Sequence, residues 1–399
     1  MTFRDAALPL AAELGLRDVE VRGDALTIGH DAPPGRLTIT ARVPDAIERL
    51  RLEAIVDPGE RRLELDVGLT ATGVTLTALR PWLVPLGITP ELRDGSLSLR
   101  LHATAAERDT TVVLDTELKD LSLRDQDDLL LQLRRVTGAG LTLGGERLDV
   151  GTWQVVEPYA AIHRDADQVV HALGLAFTAP AARTDGQDQP QPAPRRADAA
   201  TSEPAAADAA ATEPAPLPRY GELSVRGGVL DLTSATYQDQ TFSLGLDASV
   251  GPGGDADAAG SQRVPFRTAL RIGEAVRRAE LAGELALTDG TYTVRGDLDL
   301  EGIDGSRLRI VLPESLDCTL ADGSLTAKFA LAATPGDTAE VALDLSNLAL
   351  RDRDQELFAI DRVQLALPAI SAERLHLREL RIDGVRAEVA LVPDGTQLP

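Results

Sequence analysis

Residues 94–136 of this chain are written twice, and that duplication constrains the fold more than any other feature. The first copy opens DGSLSLRLHAT and, after a few polar residues, continues VVLDTELKDLSLRDQDDLLLQLRRV. The second, residues 322–363, opens DGSLTAKFALAA and continues VALDLSNLALRDRDQELFAIDRV. Leu118 falls on Leu345, Asp125 on Asp352 and Val136 on Val363; the differences 345 − 118, 352 − 125 and 363 − 136 all equal 227. A chain of this kind folds as two related units, so its function has to be sought in something each unit repeats.

Inside the duplicated block the apolar residues alternate. Leu97, Leu99, Leu101 and Ala103 interleave with Ser96, Ser98, Arg100 and His102, and Leu325, Ala327, Phe329 and Leu331 with Ser324, Thr326 and Lys328. Period two sends successive side chains to opposite faces of a strand, so one face is apolar and the other wet. The same pattern runs through 19–28, 37–41, 50–55, 63–69, 74–76, 141–143, 148–150, 153–155, 161–163 and 171–177. Turn signals stand at Gly23-Asp24, Pro33-Pro34-Gly35, Asp57-Pro58-Gly59 and Gly73. Two stretches depart from it. Leu8, Leu10, Leu14 and Leu16 predict a short amphipathic helix limited by Pro9, and Trp82, set between two prolines, predicts a helical or irregular crossover that plugs a sheet end.

Residues 179–218 are dense in Pro, Ala, Asp and Glu, with Leu217 the one large aliphatic residue. Such a segment cannot offset its ordering entropy by burial, which predicts a disordered linker. Beyond it the pattern restarts: YGELSVRGGVLDL at 220–232 echoes DVEVRGDALTI at 18–28, and VRRAEL at 276–281 matches IERLRL at 47–52. The predicted organisation is all-β: two tandem repeat units of mainly antiparallel strands in curved, groove-like or sandwich-like sheets, with few short helices. Its parts are a capping helix at 1–17, a first unit at 18–178, the linker at 179–218 and a second unit at 219–399.

Forty Lys and Arg against 63 Asp and Glu give a net charge of −23. That balance repels phosphate backbones and anionic membrane surfaces, which predicts no nucleic-acid partner and no polybasic lipid anchor. One cysteine, Cys318, rules out an internal disulfide and a thiolate metal cluster. No stretch approaches the roughly 18 apolar residues of a spanning helix, and no basic leader precedes the first apolar run. The sequence contains no phosphate-binding G-x-x-x-x-G-K-[ST], nucleophile-elbow G-x-S-x-G, zinc-binding H-E-x-x-H or dinucleotide G-x-G-x-x-G motif in a strand–helix setting. His30, His102, His163, His171 and His376 are scattered, with His163 and His171 the nearest pair. The acidic runs Asp125-Gln126-Asp127-Asp128 and Asp352-Arg353-Asp354 occupy equivalent positions; D-x-D can hold calcium, but between two apolar strands it reads as a turn. The expectation is a non-enzymatic protein without cofactor, metal or catalytic residues.

What remains is the apolar face, which has to lie against a second sheet, against itself by curling, or against an apolar ligand. Burying one Leu is worth roughly 1.5–3 kcal/mol, so an uncovered stripe is costly in water. The restart VRGGVLDLTSATYQD, the DGSL blocks ending at Leu97 and Leu325, the LSLRD and LALRD strands and the terminal LRELRIDGVRAEVALVPDGTQLP resemble the AsmA-like family of TamB-related bacterial envelope proteins. That family is related in architecture to bridge-like lipid-transfer proteins. The resemblance implies a periplasmic location and a β-groove conducting phospholipid acyl chains, in support of outer-membrane assembly or lipid homeostasis. Membrane contact would come through flanking segments or partner proteins. The expected lipid-facing residues are Leu97, Leu99, Leu101, Leu114, Leu121 and Leu123, with Leu325, Phe329, Leu331, Leu343, Leu348 and Leu350. The alternative is a pair of β-sandwiches with dry cores, acting as an envelope scaffold or protein-interaction module.

Overall fold

The computed structural model describes residues 2–5, 12–25, 33–108, 110–144, 149–178, 221–234, 240–252, 262–288, 291–308, 320–334, 339–370, 375–376, 378–387, 390–392 and 395–397. The predicted linker, Leu26, Ile28, His30 and Cys318 lie outside the described residues. At the N-terminus β1 (Thr2–Asp5) and β2 (Ala12–Gly15) pair antiparallel. The first repeat begins with β3 (Arg17–Asp24), β4 (Gly35–Val43), β5 (Ile47–Pro58) and β6 (Arg62–Val74). A crossover of two 3₁₀ turns around α1 (Arg80–Leu83) leads to β7 (Ile88–Pro90). Then come β8 (Gly95–Arg108), β9 (Thr111–Asp125), β10 (Asp128–Leu143), β11 (Thr152–Arg164), β12 (Val170–Ala172) and β13 (Leu175–Phe177).

The second repeat runs β14 (Leu223–Ser234), β15 (Gln240–Val250), β16 (Gln262–Ile272), β17 (Val276–Thr288) and β18 (Thr291–Ile303). After α2 (Gly305–Leu308) follow β19 (Gly323–Thr334), β20 (Ala339–Asp352) and β21 (Gln355–Ile370). The short β22 (Leu375–His376), β23 (Glu379–Asp383) and β24 (Arg386–Ala387) line up along β21, while β25 (Ala390–Val392) and β26 (Gly395–Gln397) form a separate hairpin.

Both repeats belong to one sheet. From β3 to β6, then through β8, β9, β10 and β11, each strand pairs antiparallel with the next. From β14 to β21 the same holds. The seam between the repeats is a parallel ladder, β11 on β14, running from Trp153↔Leu223 to Arg164↔Ser234. The strands β12, β13 and β7 form a flap off the end of β11. Among the described residues β3 pairs with β4 and β23 with β21, each on one side, so the sheet is open.

The sequence explains how so long a sheet keeps one apolar side. Strict alternation breaks at a spacing of three in β9, β10, β11, β20 and β21 and just beyond β23: Leu118 to Leu121, Leu133 to Val136, Val155 to Pro158, Leu345 to Leu348, Ile360 to Val363 and Ile382 to Val385. At that level β9 and β11 carry Asp120 (φ 52°) and Glu157 (φ 49°), and in the second repeat β14, β20 and the β23–β24 junction carry Gly227 (φ 61°), Asn347 (φ 53°) and Gly384 (φ 67°). Adding 227 to 120 and 157 gives 347 and 384, so the same crease crosses both repeats. A left-handed residue in a strand is a bulge that shifts the side-chain phase by one, and the shift returns the leucines beyond it to the same face.

Across the strands this yields unbroken rows. One passes from Leu65 through Ala103, Thr116, Gly138, Trp153, Leu223, Val250, Phe266, Gly283, Gly296, Phe329, Leu345 and Val363 to Ile382. Aromatic rings in this row lie on glycines. A Cβ on Gly138 would sit 2.7 Å from the Trp153 ring, on Gly283 2.8 Å from Phe266 and on Gly296 3.0 Å from Phe329. Each missing side chain leaves room for the ring opposite it.

Compact burial occurs at one end of each repeat. Ala71, Val74 and Leu92 form one cluster, with Leu50, Leu97 and Leu130 against it; Ile303, Leu320 and Leu357 form the counterpart, with Leu300, Leu325 and Leu350. In each cluster one leucine from the segment just before β8 or β19, Leu92 or Leu320, packs on residues of the strands and plugs that end.

Several expectations need correction. The predicted helix at 1–17 is a hairpin in its described parts. The four leucines that suggested it, at 8, 10, 14 and 16, all fall on even positions, which is strand periodicity, and Pro9 disfavours helix. Gly23-Asp24 is not a turn: both lie inside β3, paired with Leu37 and Arg36. The echo of 18–28 at 220–232 does not mark equivalent strands. Counting along the ladder, Val21↔Ile39 corresponds to Ala248↔Thr268, so β3 matches β15 and β14 is an additional leading strand.

Candidate functional site

The structure places all twelve sequence-predicted lipid-facing residues on the one apolar side, and each is half-buried. In the first repeat Leu97 stands between Ala71 and Leu123, Leu99 beside Leu69, Leu101 between Val67 and Leu118, Leu114 between Ala105 and Leu141, and Leu121 beside Leu133. In the second, Leu325 pairs with Leu300 and Leu350, Phe329 with Leu345, Leu331 with Val294 and Leu343, and Leu348 with Ile360. Leu118, Leu133, Val136, Leu345 and Val363 share that side and are absent from the sequence-derived set. The signal that finds them is the spacing of three, which reads as a lapse of alternation until the bulge is recognised.

No large side chain among the described residues falls below 2% exposure. An interior shared by two packed sheets would contain such residues, whereas a single sheet whose apolar side is covered by neighbouring side chains alone leaves them half-buried. The opposite face carries cross-strand ion pairs such as Arg134–Glu157 (2.7 Å), Arg135–Glu117 (3.3 Å) and Lys328–Asp297 (3.0 Å). That face is also dimpled: Glu53, Asp66, Arg100, His102 and Glu117 line a depression of about 600 Å³.

A larger cleft, about 1130 Å³, lies where the flap meets the ends of β10, β11 and β14; Arg80, Glu91, Leu92, Tyr159, His163 and His171 are on its walls. His171 is its electrostatic centre. Nδ1 lies 2.6 Å from Glu91 Oε2 and Nε2 3.0 Å from Asp165 Oδ2. Carboxylates only accept, so serving both requires both ring nitrogens to carry hydrogen, the imidazolium form. The Asp165 hydrogen bond, with Glu91, accordingly raises the His171 pKa above its ordinary value, and the His171 hydrogen bond lowers that of Asp165. His163 packs at 5.6 Å between ring centroids. A histidine committed to two carboxylates has no lone pair for a metal, and among the described residues no group of three or more His, Cys, Asp or Glu is arranged to hold one.

The acidic runs act as turns. Asp125 Oδ1 accepts from the backbone N–H of Arg93 (3.0 Å) and Asp94 (2.9 Å), and Asp352 Oδ1 from Ala321 (3.0 Å) and Asp322 (2.9 Å). Each carboxylate pins the end of its repeat's crossover to the β9–β10 or β20–β21 turn.

The chain matches no family model, no curated protein and no solved structure. Among the described residues no helix is long and apolar enough to cross a membrane.

Proposed function

We propose that the chain is a non-enzymatic module of the bacterial envelope that binds phospholipid acyl chains along its apolar sheet face and conducts them, in support of outer-membrane assembly or lipid homeostasis. The observation that carries this reading is the continuous row from Leu65 to Ile382, which crosses the seam between repeats without a polar interruption larger than Thr116. An acyl chain is a fitting cover for such a row because it is long, apolar and indifferent to the identity of each contact. At ~25 cal/mol per Å² of apolar surface removed from water, a chain lying across several leucines gains several kcal/mol. The periplasmic location rests on the resemblance to AsmA-like proteins alone.

Solvent extraction of the natively purified protein followed by lipid mass spectrometry tests the reading. Co-purified phospholipid is expected, and its amount should drop several-fold in Leu118→Asp and Leu345→Asp while the far-ultraviolet circular dichroism of the sheet is kept. A stable, monodisperse protein carrying no acyl chains would overturn the lipid reading and leave the scaffold reading in its place.

A further inference from the structure

The outer edge of β23 is equivalent, residue for residue, to the edge of β11 that holds β14. In the first repeat Gly138 pairs with Trp153, Val136 with Val155 and Leu131 with Ala160; in the second Leu365 pairs with Leu380, Val363 with Ile382 and Phe358 with Ala387. Adding 227 to each residue of the first set gives the second. On β11 the free edge is filled: the Trp153 N–H donates to the Glu222 carbonyl at 2.9 Å, and β14 runs parallel alongside. On β23 no strand pairs with that edge among the described residues, and Leu380 and Ile382 are 55% and 48% exposed.

We propose that the edge of β23 and β24 is a docking site for the leading strand of another repeat of this type, paired parallel as β14 pairs with β11. Three features argue for that occupant over an arbitrary extended peptide. The apolar side chains of the acceptor, Leu380, Ile382 and Val385, stand on the face and at the spacing that Trp153, Val155 and Pro158 present to β14. The crease demands a residue of positive φ opposite Gly384, as Gly227 (φ 61°) lies opposite Glu157, and β14 supplies one in Arg226-Gly227-Gly228. β14 is also the leading strand of the second repeat and makes the parallel pairing with the edge of the first, so the connector sits at a repeat's leading edge. Backbone pairing supplies the affinity and the alternate side chains the selectivity; the charged Glu379, Arg381 and Asp383 on the other face discourage unselective edge pairing.

The probe is a fluorescent peptide with the sequence of residues 221–234, GELSVRGGVLDLTS, titrated into the full chain and followed by anisotropy. Saturable 1:1 binding is expected. Leu380→Pro removes the one N–H equivalent to that of Trp153 and should weaken binding at least tenfold, as should Gly227→Val within the peptide. Amide hydrogen exchange on the unaltered protein gives a second readout, with slowing over 379–383. Absence of binding, equal binding to a folded Leu380→Pro variant, slowing at 17–24 instead, or faster exchange at 152–164 from displacement of β14 would each overturn the proposal.

Discussion

Trp153 shows how much a single position can settle in a sheet of one layer. Its ring lies over Gly138 and its Nε1–H donates to the Val150 carbonyl at 2.8 Å, so it cannot swing away when the space beneath it is filled. Gly138→Val should therefore cost about 1–3 kcal/mol by overpacking, read as a lowered urea midpoint together with a red shift of tryptophan emission. Asp125 makes the opposite kind of contribution, through acceptance rather than volume. Asp125→Ala leaves the Arg93 and Asp94 N–H groups without their partner and should cost about 1–2 kcal/mol, whereas Asp125→Asn keeps an acceptor oxygen and should cost less. Addition of calcium or a chelator should leave both midpoints unchanged, which distinguishes a turn from a cation site.

Among the elements, the flap of β12, β13 and β7 responds most directly to pH. Because the folded pKa of His171 is raised, its stabilisation is complete below the ordinary value of 6.5 and is lost as pH rises through the folded one. Because that of Asp165 is lowered, its share is present above the ordinary 3.8 and is lost as pH falls through the folded value. The flap is held best between those limits, so the protection factors of the β12 and β13 amides, taken relative to base-catalysed intrinsic exchange, should fall on the alkaline side, and His171→Asn should abolish that fall. The strands themselves were legible in the sequence wherever alternation ran clean, as in 95–106 and 323–334, and Trp82 was correctly read as part of a helical crossover. The flap was not legible, because what joins Glu91 to His171 is a contact between residues 80 positions apart with no local pattern. The N-terminal hairpin was misread because a short leucine run on even positions fits helix and strand alike. The bulge crease was visible only as an apparent defect in periodicity.

On the scale of the whole molecule, the parallel seam turns a duplicated sequence into one continuous surface. A protease site placed between residues 179 and 220 tests this directly: after cleavage the two halves should still co-elute in size exclusion, and separate only when the seam is broken, for instance by Ser224→Pro, because the Ser224 N–H faces β11. The seam also dictates what the intervening residues have to accomplish. Antiparallel neighbours can be joined by a tight turn, but a parallel pair requires the chain to travel back to the starting level of the strand it has left. Thr178 lies beyond the Arg164 end of β11, while Gly221 lies beside Gly151 at its beginning. At ~3.3 Å per residue the two ends are roughly 40 Å apart along the strand direction. The 42-residue segment from 179 to 220 has to make this return, and at ~3.3 Å per residue its length exceeds the distance. Halving it should leave the seam intact, and cutting it below about a dozen residues should pull the repeats apart.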